Sequence, residues 1–426
     1  MKIDKNFSAF VAGHIDDDVT RLVLARDKWP GIDVILAADT ILGRRAMKEK
    51  MPLWYARPDM IYPDRLCTEQ CSSQKTAALK AGIAKRLAPE GRHPRIADLT
   101  AGIGADSFAF SYVAERVLHN ERNAALSDAA KANFGLLGIH NVVFTSYSAD
   151  KASLGCGGDL RSTLDCFGPD ILFLDPSRRD STGSKVFLIT DCSPDITDIR
   201  HELLSIAPAV MVKFSPMLDI SSCLSSLDNV AEIHTVGADG ECKELLVILI
   251  RNFNGEPALI VHNEDCSDTF PVKDSAADSA SLPVDLSCLA GKWLLEPCKS
   301  LSKSGLFNLA AEKYGITKLG INTHLYATDT PERLPEKSRG LFKCLKILQI
   351  IPFGRQAVRT LASQYPVHDV TARNFPLSSE ELSSRLKREA GKAATPKADS
   401  GRVHIYGVHI DFRNAPSGNY LLVTGK

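Results

Sequence analysis

Apolar positions recur at three- and four-residue intervals through the first ~75 residues, in DVTRLVLARDKW and DTILGRRAMKEK, which predicts amphipathic helices. A loop rich in proline and charge runs from Met51 to Leu66. The next helix is expected to start near Ser72 and Ser73, whose hydroxyls suit an N-cap, and to run through TAALKAGIAKRL to the turn at Pro89-Glu90-Gly91. From Arg95 the period changes. Short apolar runs (RIADL, RVLHNE, NVVFT, DILFLD, AVMVKFS, AEIHTVG and ELLVILI) alternate with helix-like stretches such as SFAFSYVAE and AALSDAAKANFGLLG. Strands separated by helices predict a doubly wound, Rossmann-like α/β domain with seven strands. The polar stretch Glu264 to Asp285 reads as a linker or exposed loop. The last ~90 residues mix apolar strands (LKILQIIPF, RVHIYGVHI, NYLLVTG) with one polar helix, a small α+β module.

This pattern divides the 426 residues into an N-terminal helical region 1–75, the sheet domain 76–252, a linker and small α+β segment 253–330, and a basic α+β module 331–426. At ~150 residues per domain the length agrees with several domains. A 44% hydrophobic content excludes dominant disorder. Apolar runs such as Leu245–Ile250 fall short of the ~20 residues that span a bilayer, and no secretory signal opens the chain. The 11 cysteines are odd in number and form no CxxC pair, so a reduced, cytoplasmic chain without a metal site or membrane partner is expected. Net charge is zero, but its distribution is uneven. Residues 1–337 carry 37 basic against 45 acidic residues, and 338–426 carry 14 against 6. A basic module on an acidic body suggests a polyanion partner, set against an ordinary lysine-rich surface.

Chemistry concentrates at the strand ends. Arg95-Ile-Ala-Asp98-Leu-Thr100-Ala-Gly102-Ile-Gly104-Ala-Asp106 is a strand ending in an acid, then a glycine-rich turn opening a helix. The glycines let backbone approach a ligand closely. A dinucleotide fingerprint would place a third glycine where Ser107 stands, and an acid at the strand end disfavours a pyrophosphate. The acid suits a cationic ligand, an ammonium or a sulfonium. Glu121 closes the second strand, where a carboxylate commonly binds a ribose diol. Asp150, after the third strand, could meet an adenine amino group or serve as a helix N-cap. The fourth strand ends in Asp175-Pro176-Ser177-Arg178-Arg179-Asp180, where ligands bind in such sheets.

DLTAGIGAD, NERN and LDPSRRD, in this order and at these intervals, resemble class I S-adenosylmethionine-dependent methyltransferases. The resemblance implies that Asp98, Thr100, Gly102 and Gly104 hold the methionine part of the cofactor and Glu121 its ribose. Asp150 would take the adenine, and Asp175 with Pro176 would face the methyl acceptor. DPSRR, with Glu69-Gln-Cys-Ser-Ser-Gln-Lys-Thr-Ala upstream and Leu295-Glu296-Pro297 downstream, is similar to the bacterial group with a C-terminal THUMP-like domain. That group implies RNA, tRNA or rRNA, as acceptor.

Enzymes that methylate exocyclic amines typically follow the fourth-strand Asp/Asn-Pro with a second proline and an aromatic; here Ser177 and Arg178 stand there. Enzymes making 5-methylpyrimidines need a cysteine nucleophile, and the fifth strand continues as Lys213-Phe-Ser-Pro-Met-Leu-Asp without one. Direct transfer is therefore expected. Asp175 would accept a hydrogen bond or proton from the attacking atom, and Pro176, Ser177 and Arg178 would complete the acceptor side. Arg178 and Arg179 would orient a phosphate or carbonyl, or else pair with Asp180. Lys213 could reach the site or extend to solvent, and His119 reads as packed. Three other readings stay open: a small-molecule or protein acceptor, a nicotinamide-dependent oxidoreductase, and an idle RNA-binding protein that retains the cofactor pocket. The oligomeric state is not readable from the sequence.

Overall fold

The computed structural model describes residues 5–178, 188–272, 282–365, 368–391 and 403–425. Arg179, Asp180 and Lys392 lie outside the described residues, and of Arg178 only the backbone is described. The chain divides into two compact units, one of residues 1–233 and 244–255, the other of residues 234–243 and 256–426.

In the first unit, each apolar run predicted as a strand forms one: β1 (Arg95–Asp98), β2 (Arg116–Asn120), β3 (Val142–Thr145), β4 (Ile171–Leu174), β5 (Ala209–Phe214), β6 (Val230–Ala238) and β7 (Glu241–Ile250). Residues 234–243 of the β6–β7 hairpin belong to the second unit. Neighbours follow the order β3-β2-β1-β4-β5-β7-β6, and beyond β6 the sheet continues through two further strands, Ala258–Asn263 and Cys266–Pro271, so it has nine strands where the sequence pattern predicts seven. The first five strands pair in parallel, and β7 runs antiparallel to β5, with Lys213 opposite Leu246. The hairpin turns through Asp239 and Gly240, both at positive φ (52° and 76°), the two-residue geometry whose twist suits a β-hairpin.

Parallel pairing gathers the carboxyl ends of β1, β2 and β4. The register sets Asp98 beside both His119 and Phe173, and Leu174 beside Val212, so Asp175 follows next to Lys213. The sheet buries one face against the helices Gln74–Arg86 and Ala105–Ser111, around Ala84, Ile96, Phe110, Phe173, Met211 and Ile248. Ser73 caps the first of these helices by accepting the Thr76 amide. The N-terminal helices close a second core, where Met47, Met51, Trp54 and Tyr62 pack with Ile103, Phe108, Leu126 and Phe134. Asn133 fastens this layer, its side-chain amide bonding both the N–H and the C=O of Ile61.

One buried ionic cluster ties the helices to the sheet. The Lys80 ammonium, fully buried, donates to both Glu244 carboxylate oxygens at 2.9 and 2.8 Å and to Ser72 Oγ at 2.7 Å, and lies 3.1 Å from Asp106 Oδ1. Ser72 in turn donates to Asp106 Oδ2.

The second unit carries β8 (Ala258–Asn263) and β9 (Cys266–Pro271), an antiparallel hairpin. A seven-stranded sheet follows, formed by β10 (Trp293–Pro297), β11 (Thr317–Lys318), β12 (Tyr326–Thr328), β13 (Phe342–Pro352), β14 (His368–Arg373), β15 (Val403–Ile410) and β16 (Gly418–Gly425). Its order is β11-β12-β10-β13-β16-β15-β14, with β14 and β15 parallel. Helices Arg355–Gln364 and Ser379–Ala390 cover one face through Leu361, Leu382 and Leu386; the latter helix starts with a Ser378/Glu381 capping box.

β9 lies in the stretch whose acids predicted a linker. The reason for the difference is Asp268. This buried carboxylate accepts from Tyr314 Oη at 2.7 Å and Ser338 Oγ at 2.8 Å and pairs with the Lys313 ammonium at 2.9 Å. Burial works to raise its pKa, but these partners outweigh burial and hold it below the usual carboxylate range. Residues 273–281 of that stretch lie outside the described residues.

Substituting Lys80→Met leaves Glu244 and Asp106 buried without the ammonium in direct contact with them and is expected to cost about 3–5 kcal/mol in chemical denaturation. The Lys80→Met/Glu244→Met pair should lose clearly less; equal losses would show that the ionic cluster is not what holds the helix to β7.

Candidate functional site

β1 continues into the loop Leu99–Gly104, which the sheet itself holds in place. The Leu99 amide donates to Phe173 O and the Ala101 amide to Asn120 O. Gly102 (φ 55°) and Gly104 (φ 92°) adopt left-handed conformations that favour glycine. A Cβ on Gly102 would meet open space, so its backbone is free to approach a ligand. A Cβ on Gly104 would come 2.8 Å from the Phe134 ring and 3.4 Å from His119.

Beside this loop opens a cavity of about 380 Å³. Of the residues the motifs single out, Thr100, Glu121, Asp150, Asp175 and Ser177 line it, whereas Asp98, Gly102, Gly104 and Pro176 do not. The Glu121 carboxylate spans the turn, accepting the Gly102 amide on Oε2 at 2.9 Å and the Asn123 amide on Oε1 at 2.8 Å. Its remaining lone pairs are available to the cavity. Asp150 accepts the Ser153 amide at 2.9 Å as the N-cap of the helix Lys151–Leu154, and this bond lowers its pKa. The N-cap and the cavity lining coexist in one side chain.

Asp98 departs from its expected place. It is fully buried, Ser107 Oγ donates to its Oδ2 at 2.7 Å, and the Thr100 amide lies 3.3 Å from Oδ1. Burial, followed by the nearby Asp106 charge, pushes its pKa well above the ordinary value. It braces the loop from within and does not line the cavity. His119 Nδ1 lies 3.3 Å from the same Ser107 hydroxyl, and burial depresses its pKa to about 3. The imidazole is therefore a neutral part of the core.

On the acceptor side, the Asp175 amide donates to Thr100 Oγ1 at 2.6 Å, which locks the two strand ends together. The Asp175 carboxylate is about one-third exposed, and Lys213 Nζ donates to its Oδ2 at 2.5 Å. Pro176 is buried behind it. Ser177 and Arg178 form a short antiparallel pair with Cys192 and Ser193. Lys213 thus turns toward Asp175 and not toward solvent.

Sequence reasoning missed two contributors. Asn120, the residue before Glu121, donates from Nδ2 to Leu99 O and Tyr147 O and accepts from the Tyr147 amide, which joins three strand ends. Its position beside the acid in HNERN was the available signal. Cys67 also lines the cavity, its thiol pushed up to about 12 by burial and by Asp64 and Glu121; no motif marks it.

A family model for a ferredoxin-like domain matches residues 293–335. An uncharacterized S-adenosylmethionine-dependent methyltransferase of Mycobacterium tuberculosis is 23% identical over 361 residues, 83% of this chain and 88% of the relative, in both strain CDC 1551 and strain H37Rv. Among solved structures, a candidate methyltransferase from Porphyromonas gingivalis W83 aligns over 100% of both chains, with 27% identity and a TM-score of 0.78.

Gly104→Ala should cost about 1–3 kcal/mol in thermal unfolding and weaken S-adenosylmethionine binding, because the new methyl meets Phe134 at a strained φ. Wild-type affinity in a calorimetric titration would show that the loop tolerates a shift. The pH dependence of stability follows from His119. Its pKa is lowered on folding, so the unfolded chain binds the extra proton between pH about 6.5 and about 3. Stability should rise with pH through this window and fall as pH drops through it. Urea midpoints at several pH values should show a smaller slope in His119→Gln.

Thr100 of the glycine loop, the second-strand acid Glu121 and the fourth-strand Asp175 line one cavity of this sheet, and the chain is similar along most of its length to proteins named as methyltransferases: it has the α/β methyltransferase fold and is an S-adenosylmethionine-dependent methyltransferase.

Proposed function

We propose that the enzyme methylates RNA, tRNA or rRNA, by direct transfer, in the cytoplasm. The loop Thr100–Gly104 would hold the cofactor's methionine end, Glu121 its ribose and Asp150 its adenine, which would leave Asp175 on the side of the transferable methyl. The residues suit such a group: a backbone turn open to approach at Gly102, and a carboxylate beside it with free lone pairs. The cofactor supplies an electrophilic methyl on a sulfonium, and the protein supplies position and charge.

The observation that carries the reading is Asp175, held at the cavity wall by Thr100 and aimed by Lys213. Asp175 accepts the hydrogen bond of the attacking nitrogen or oxygen and takes its proton as the new bond forms. Pro176 fixes the carboxylate's backbone, while Ser177 and Arg178 contact the acceptor. No cysteine nucleophile takes part.

RNA is favoured by the excess of 14 basic over 6 acidic residues in 338–426, which we read as a THUMP-like module. Six acids (Asp64, Glu121, Asp150, Asp175, Asp195 and Asp198) line the cavity against two bases, Arg122 and Lys151, the latter paired with Asp198, so the balance of charge there disfavours a backbone phosphate. The target base is accordingly unstacked and inserted alone, with its phosphates left outside. The same acidic lining favours the second reading, a cationic small-molecule or protein acceptor.

Radiolabelled S-adenosylmethionine with total RNA from wild-type and gene-deleted cells separates the readings. Label entering only the deletion-strain RNA supports RNA as the acceptor; no label in either, with cofactor binding intact, points to the second reading. With the labelled substrate, Asp175→Ala should lower turnover at saturating cofactor by roughly 10²–10⁴-fold while the variant still binds S-adenosylhomocysteine. Unchanged turnover would remove Asp175 from the reaction.

A further inference from the structure

The ionic groups behind the transfer site are arranged in a definite order. Lys213 lies on β5, next to Asp175 at the end of β4 and antiparallel to the β7 segment that carries Glu244. Glu244 is the natural competitor for the Lys213 ammonium, but Lys80 already bonds both of its oxygens. The Lys80 ammonium also lies 3.1 Å from Asp106 Oδ1. Lys213 is left with a short hydrogen bond to Asp175 at 2.5 Å, its own side chain only 12% exposed.

We infer that Lys213 is a positioning residue of the transfer site, which cancels the Asp175 charge toward the cofactor sulfonium as well as fixing the carboxylate. This rests on the reading that the methyl-bearing end faces Asp175. The physical reason lies in how charge changes along the reaction. The sulfonium is cationic in the ground state and loses that charge as the methyl departs. A bare carboxylate beside it would stabilise the ground state more than the transition state and so slow transfer. A carboxylate paired with an ammonium keeps its lone pairs for the acceptor's proton while presenting little net field to the sulfur.

Lys213 is suited to remain charged there. Burial works to lower its pKa, but Asp175, followed by Glu244 and Asp106, outweighs burial and holds it above the usual lysine value. The consequence is measurable without an acceptor, because S-adenosylmethionine is a sulfonium and S-adenosylhomocysteine a neutral thioether. Their affinity ratio reports the field at the sulfur.

Both cofactors are titrated calorimetrically into the full-length wild type and the variants Lys213→Met, Lys213→Arg, Asp175→Asn and Asp175→Asn/Lys213→Met. Removing the ammonium should raise the S-adenosylmethionine to S-adenosylhomocysteine affinity ratio roughly tenfold, and Asp175→Asn should lower it by a similar factor. Lys213→Arg should keep the wild-type ratio, and the double variant should return to within about twofold of it. If Lys213→Met does not fold, the rise in ratio from Asp175→Asn to the double variant reads the same effect. A ratio that removal of Lys213 leaves unmoved in both backgrounds overturns the inference while cofactor binding stands. Failure of the wild type to bind either cofactor would instead overturn the reading beneath it.

Discussion

The structure of the first unit depends on where one ammonium goes. Lys80 sits at the buried face of the helix Gln74–Arg86, and its partners Glu244, Asp106 and Ser72 come from β7, from the helix after the glycine loop, and from the segment before its own helix. An ion taken this far from water is tolerated only when each oxygen it faces is correctly placed. The cluster therefore specifies how a helix before the sheet, a helix after β1 and the seventh strand meet. It also determines the partner of Lys213, and so the electrostatic setting of Asp175.

The glycine loop is built on a comparable principle. Each of its bends is held by a strand other than the one it leaves: Leu99 by β4, Ala101 and Gly102 by the end of β2. Asn120 completes the arrangement by bonding both Leu99 and Tyr147. A backbone so fastened needs no rearrangement to receive a ligand, and preorganisation of this kind reduces the cost of binding.

The alternation of short apolar runs with helical stretches made the first sheet legible, because buried parallel strands are nearly continuous in hydrophobic residues. The glycine turn, Glu121 and Asp175 were legible because strand ends in such sheets carry their chemistry in fixed places. Asp98 was misplaced because an acid at a strand end looks the same whether it faces a ligand or a neighbouring hydroxyl. Ser107, standing where a third glycine would be, donates the hydroxyl that holds Asp98 inward. β9 was missed because Asp268 looks solvated until Tyr314, Ser338 and Lys313 are seen around it. Lys80 and Glu244, 164 residues apart, share no local pattern at all.

The β6–β7 hairpin has a consequence for the chain as a polymer. Its residues 234–243 belong to one unit while the residues on both sides belong to the other, so the backbone passes between units at three points. No single cut in the polypeptide separates the two units, because any fragment that holds one of them whole also carries a piece of the other. An insertion or a truncation in one is thereby carried, through a continuous pair of strands, into the folding of its neighbour. Such a chain is inherited as one piece, and recombination that exchanged only its catalytic or only its terminal part would have to rejoin it at more than one place.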